Sequence, residues 1–220
     1  MGVRTAFAVA AQRYSRIDRS GPVRVEKGFT IIELVVTVAI LAILTAWGLP
    51  SLRRFVLDNS ISNTKSELLA SLNYARAQAI AQHTTVMLCK TANPTATTPS
   101  CDTTSTAGYE EGWVVCTAAS STATTCTTTL KSVSAPTKMS SSITVRADNG
   151  LSSQVFFSSR GFVSNLSGTN VVAYMVVCDS RQWKYSGQFA RVITVQNTGS
   201  AIALNGNDSR QTVVTSCTPP

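Results

Sequence analysis

From Phe29 to Leu49 the chain carries an apolar run of about 21 residues whose only charge is the carboxylate of Glu33. As a helix rising about 1.5 Å per residue, such a run is just long enough to cross the hydrocarbon core of a bilayer. A bare carboxylate in lipid costs at least about 2 to 3 kcal/mol, so Glu33 needs a cation beside it or a proton on it. A cut between Gly28 and Phe29 would supply the cation. The new α-ammonium of Phe29 would lie one helical turn from Glu33, or would meet the Glu33 of a neighbouring copy.

The stretch Lys27-Gly28-Phe29-Thr30-Ile31-Ile32-Glu33-Leu34 follows a basic leader and opens the apolar helix, with Glu at the fifth position after the glycine. In these residues the chain resembles the prepilin cleavage site of type IV pilins and type II secretion pseudopilins. The resemblance implies cleavage between Gly28 and Phe29 by a membrane aspartic protease, N-methylation of Phe29, and a mature helix that forms the core of a filament with Glu33 registering the subunits. Pro50 falls where such helices commonly carry a proline.

Residues 1–28 hold Arg4, Arg13, Arg16, Arg19, Arg24 and Lys27 against Asp18 and Glu26. By the positive-inside rule this leader stays in the cytosol. It is not a secretory signal, because the apolar run follows the cut and is too long for a signal core. Its removal leaves 13 basic and 9 acidic residues of the original 19 and 11, so half of the basic excess leaves with it.

Beyond Leu49, the residues Leu52, Phe55, Val56, Ile61, Leu68, Leu69, Leu72, Ala75, Ala79 and Ile80 recur at steps of three and four, the period of an amphipathic helix. One long helix is expected from Thr30 to about Gln82, bent or loosened near Gly48-Leu49-Pro50, where proline removes a main-chain donor. Its second half should lay the apolar stripe on a soluble head. His83, the only histidine, falls at the helix exit. With no second histidine, a surface role is expected there, with no part in a metal site or triad.

From Thr84 the period changes. Short runs rich in Val, Ile, Thr, Phe and Tyr lie between Gly, Asn, Ser and Pro clusters, at 84–90, 112–117, 127–133, 142–146, 154–158, 171–178, 189–196 and 200–205. They read as strands of an antiparallel sheet. The fold class is therefore α+β: a long N-terminal amphipathic and membrane-spanning helix packed on an antiparallel β head. The segments are a leader at 1–28, a helix at 29–83 that spans the membrane over 29–49, and a head at 84–220. The Thr/Ser-rich stretches 91–106 and 118–128 are expected to be exposed loops, the second at the tip of a hairpin.

The helix phrase Leu68-Leu69-Ala70-Ser71-Leu72-Asn73-Tyr74-Ala75-Arg76-Ala77-Gln78-Ala79-Ile80, the strand Val86-Met87-Leu88-Cys89 and the group Glu111-Gly112-Trp113-Val114-Val115 are similar to the GspH/FimT branch of the pilin family. That resemblance implies a two-sheet head on a bent helix, no enzymatic activity and no cofactor. The implied partners are other minor pilins, the major pilin, prepilin peptidase and the inner-membrane assembly platform. The implied location is the inner membrane with the head in the periplasm, then the extracellular pilus.

All six cysteines, Cys89, Cys101, Cys116, Cys126, Cys178 and Cys217, lie in the head. An even count confined to that side of the membrane fits an oxidising compartment and disulfides. The expected pairing is sequential: Cys89 with Cys101 closing the first loop, Cys116 with Cys126 across the hairpin, and Cys178 with Cys217 pinning the tail. No CxxC pair is present to suggest zinc, and a nucleophilic cysteine would have only His83 as base.

Two roles of different kinds follow. One is structural: a minor pilin incorporated into a type IV pilus, or a minor pseudopilin of a secretion system, with the cysteine-dense, Thr-rich head favouring the pilus. The other is DNA capture, since some FimT-type members place arginines after a Thr-Gly near the C-terminus. Here that place reads Thr198-Gly199-Ser200-Ala201-Ile202, without arginine. The cations left for a weak phosphate contact are Arg181, Lys184, Arg191 and Arg210; phosphate affinity scales with their number. The stretch Arg181-Gln182-Trp183-Lys184-Tyr185 interleaves cations with aromatics, which suits single-strand stacking, but a solvated hairpin turn is the preferred reading of it.

Overall fold

The computed structural model of the chain describes residues 28–103, 108–134, 143–148, 151, 153–166, 172–179, 181, 187–208 and 216–217. The leader up to residue 27 lies outside them. The chain divides into two compact units, residues 1–46 and 47–220.

Helix α1 runs Ile31–Gln82 and remains helical through Pro50. In the first unit every described residue is exposed, Phe29 at 83%. The hydroxyl of Thr37 donates to Leu34 O at 2.8 Å, and in the same way Thr45 donates to Leu41 O at 2.9 Å. Bonds of this kind satisfy side-chain donors without water, which a lipid-facing helix demands.

In the second unit α1 buries Ile61, Thr64, Leu68, Ser71, Leu72, Ala75 and Ala79, a stripe spaced at three and four residues. Leu52, Phe55 and Ile80, which periodicity assigns to the packing stripe, are instead exposed, Phe55 at 63%. Small Thr64 and Ser71 take places in the stripe, and Thr64 meets its need for a partner by donating to Ser60 O at 2.9 Å.

The helix ends in a Schellman arrangement. Thr84 N–H donates to Ala79 O and His83 N–H to Ile80 O, with His83 at φ 52°. His83 thus occupies the left-handed position that glycine usually fills, and its side chain is exposed.

Eight strands follow: β1 (Thr85–Lys90), β2 (Gly112–Ala118), β3 (Thr128–Ser134), β4 (Thr144–Ala147), β5 (Gln154–Phe157), β6 (Val172–Cys178), β7 (Arg191–Gln196) and β8 (Ala201–Asn205). They form two antiparallel sheets, as the family resemblance implies, ordered β3-β2-β1-β5 and β4-β6-β7-β8. A shared core holds Leu68, Leu72 and Ala75 of α1 together with Leu88, Trp113, Phe157, Met175 and Ile193 from both sheets.

Strands β1 and β2 are buried on both faces. Alternate residues Met87, Cys89, Val114, Cys116 and Phe156 face a second cluster, covered by Cys101, Ala123 and Cys126 of the two Thr/Ser-rich loops. Those loops therefore fold back over the sheet, although most of their other described residues are exposed as expected. Three disulfides join Cys89 to Cys101, Cys116 to Cys126 and Cys178 to Cys217, across separations of 12, 10 and 39 residues. By loop entropy the first two each contribute about 3 kcal/mol and the third about 4 kcal/mol.

Candidate functional site

The sequence singles out two regions: the start of α1 and the cations of the head. At the first, Gly28, Phe29 and Thr30 precede the helix as irregular backbone. Thr30 is the N-cap. Its Oγ1 accepts the Glu33 N–H at 3.2 Å, and its carbonyl accepts the Leu34 N–H at 3.1 Å. Thr30-x-x-Glu33 is the sequence pattern of a capping box, a signal that reading the run only as an apolar span misses. It places Glu33 in the first turn, where the helix dipole favours an anion. The single chain thus begins its apolar helix with a capped first turn that carries one carboxylate.

At the second region the two described cations, Arg181 and Arg191, are each engaged within the chain. Arg181 is spent inside the head: its guanidinium bonds Asp179 at 2.7 Å and Asp58 of α1 at 2.6 Å, and stacks 3.9 Å above the Phe189 ring. Asp179 is buried and also accepts the Arg181 main-chain N–H. Nucleic-acid phosphate would have to displace two carboxylates from this arginine. Arg191 donates to Gln188 O and Ala190 O at 3.1 and 2.9 Å, pinning the turn before β7. Lys184 and Arg210 lie outside the described residues, as do Gln182, Trp183 and Tyr185.

The Thr198-Gly199 turn is engaged from below by Arg76, which donates to Thr198 O at 3.0 Å. Gly199, at φ 81°, packs on Gly161, at φ 80°, so closely that a Cβ on Gly199 would lie 1.9 Å from Gly161 O. Val163 N–H donates to Asn197 O at 2.8 Å. This is the packing reason for the arginine in Tyr74-Ala75-Arg76: it ties α1 to the β7–β8 turn.

The Sγ atoms of Cys89, Cys101, Cys116 and Cys126 lie within 4.8 Å of one another, a proximity invisible in their spacing. Each is committed to a disulfide, which lacks the thiolate a metal needs. The Cys101 sulfur of one disulfide lies 3.9 Å from the Cys126 sulfur of the other.

Comparison with known proteins bears on both regions. Residues 66–199 match the family described as type II transport protein GspH, and residues 23–49 match the prokaryotic N-terminal methylation motif. The fold is similar to the crystal structure of the type IV minor pilin FimU of Pseudomonas aeruginosa PAO1, with 15% identity, 74% of this chain and 98% of that chain covered, and a TM-score of 0.53. A second crystal form of the same protein covers 71% of this chain and 98% of that one at 15% identity, with a TM-score of 0.49. No curated protein matches. At this identity the structural likeness speaks for the fold alone.

Proposed function

The chain belongs to the GspH family of pilin-like proteins, and from that premise we propose that it is a minor pilin, processed at its leader and incorporated into a type IV pilus, where it helps initiate assembly. The observation that carries this reading is the Gly28-Phe29 junction directly before a capped, lipid-length helix whose first turn holds Glu33.

Prepilin peptidase cuts after Gly28 and methylates the Phe29 amine. The mature helix then resides in the inner membrane with the head in the periplasm. In lipid, Glu33 seeks a cation, and the α-ammonium of Phe29 on a neighbouring subunit meets that need while setting the axial register. Thr30 supports this role by holding the first turn, so that the Glu33 backbone is already fixed when the neighbour arrives. The partners are other minor pilins, the major pilin and the assembly platform.

Intact mass of the protein from membranes tests the processing step. The expected mass lacks residues 1–28 and carries one added methyl; an uncut chain removes the reading. Glu33→Ala should be cleaved normally yet enter filaments poorly, and normal incorporation would contradict the registration role.

A pseudopilin of a type II secretion system is the second reading, favoured by the description of the matching family. Deletion of the gene separates the two: loss of surface pili supports the pilus, whereas normal pili with a loss of exported protein support secretion. DNA capture draws no support from Arg181, whose guanidinium is already held by two carboxylates.

A further inference from the structure

The two sheets have four edges, and the chain treats them differently. On β4 the outward groups of Val145 are taken: its carbonyl accepts the Tyr109 N–H at 3.0 Å, and its N–H donates to the Glu110 carboxylate at 3.2 Å. On β5 the N–H of Phe156 donates to Asn165 Oδ1 at 3.1 Å, its carbonyl accepts Ser164 N–H at 2.9 Å, and the Asn165 amide donates to Gln154 O at 2.9 Å. Strand β3 pairs with β2 through a register shift opposite Val115/Cys116, an irregularity that discourages further pairing, and its Lys131 is bound to Glu67 of α1 at 2.8 Å.

Strand β8 has none of these protections. The bonds Gln196 N–H to Ser200 O and Gly206 N–H to Ala190 O fix the alternation of the β7–β8 ladder. With the register Thr194↔Ile202 and Val192↔Leu204, the main-chain groups of Ile202 and Leu204 face β7. Those of Ala201 and Ala203 therefore point away from the sheet, and among the described residues they have no partner. The strand Ala201-Ile202-Ala203-Leu204-Asn205 contains no charge and no proline, and Ile202 is 45% exposed. The small side chains of Ala201 and Ala203 pack on the core and do not screen the edge.

We propose that β8 is a strand-addition site, occupied by an extended, uncharged segment of a neighbouring pilin-like subunit that places an apolar side chain beside Ile202. Only an extended backbone matches donors and acceptors repeating at every second residue. A charged segment would find no counter-ion on β8. This inference rests on the reading of the chain as a filament subunit.

Proline at position 203 provides the test, because it deletes an outward N–H that β7 does not use, and proline is tolerated on the open side of an edge strand. Full-length wild type, Ala203→Pro and Ala203→Thr are expressed in a strain lacking the native gene, and their amounts in sheared filaments are measured beside the melting temperature of each purified protein in detergent. The expected result is a similar small fall in melting temperature for both variants, since each adds bulk where Ala203 packs on the core, with wild-type incorporation of Ala203→Thr and about ten-fold lower incorporation of Ala203→Pro, the order expected for losing one main-chain bond. Equal incorporation of Ala203→Pro overturns strand addition and leaves the filament reading intact. Absence of the wild type itself from filaments overturns both. If Ala203→Pro does not fold, amide exchange of the wild type decides. Slowing of the Ala201 and Ala203 amides by about 100-fold in filaments relative to the detergent-solubilised chain is expected; equal exchange in the two states overturns the proposal.

Discussion

The guanidinium of Arg181 lies 2.6 Å from the carboxylate of Asp58, joining α1 to the segment after β6 across 123 residues of sequence. The same side chain bonds buried Asp179 and covers Phe189, so it neutralises a carboxylate that has little access to water. Its effect on stability should be unequal at its two ends. Arg181→Gln strands Asp179 and should cost about 2 to 3 kcal/mol. Asp58→Asn, at a half-exposed position, should cost less than about 1 kcal/mol. Urea denaturation of both variants measures this, and equal small losses would show that Asp179 is not held by Arg181.

Gly199 faces a second constraint of the same kind. Its φ of 81° and the 1.9 Å that would separate an added Cβ from Gly161 O both exclude a side chain. Gly199→Ala should destabilise the head by about 2 to 4 kcal/mol, since the β7–β8 turn must shift off Gly161 and Arg76. A melting temperature within a degree of wild type would contradict it.

His83 presents the opposite case. Held at φ 52° at the end of α1 with an exposed side chain, it bears a steric cost that glycine avoids. His83→Gly should raise stability by about 0.5 to 1 kcal/mol, measured by the same denaturation.

Glu110 makes stability depend on pH. Burial pushes its pKa up, but the Arg146 guanidinium and main-chain donors, including Val145 N–H, outweigh this and hold it below the usual carboxylate range. A lowered folded value means that the contribution is present above the unfolded pKa of about 4.3 and is lost as pH falls through the folded value. Melting curves of wild type and Glu110→Gln should differ at pH 7 and converge under acid; a constant difference down to pH about 2 would count against this role.

The 3.9 Å approach of Cys101 to Cys126 puts the two disulfides within reach of exchange once one of them is opened to a thiolate. In Cys89→Ala, the freed Cys101 thiolate can attack Cys126, forming a Cys101–Cys126 bond and releasing the Cys116 thiolate. Alkylation followed by peptide mapping should find label divided between Cys101 and Cys116. Label on Cys101 alone would show that the loops keep the sulfurs apart.

Much of this is legible in the chain as written. The apolar run and its single carboxylate specify a lipid-length helix, because hydrophobic length and charge are local properties. The eight strand segments are visible as β-branched clusters, and adjacent cysteines pair because short loops close at low entropic cost. What the residues alone do not reveal depends on contacts between distant segments. Periodicity assigns Leu52, Phe55 and Ile80 to the packing stripe, yet burial is decided by where the sheets lie, and Thr64 and Ser71 are covered instead. Arg181 reads as a free cation until folding brings Asp58 to it. An edge strand has no signature of its own either, since β8 differs from β4 and β5 only in that no other described segment reaches its outward main-chain groups. Sequence by itself determined which elements form and where the lone carboxylate enters the helix; tertiary structure decided which described cations are paired and which described strand edges are covered, because charge pairing and edge coverage are properties of segments far apart in the chain.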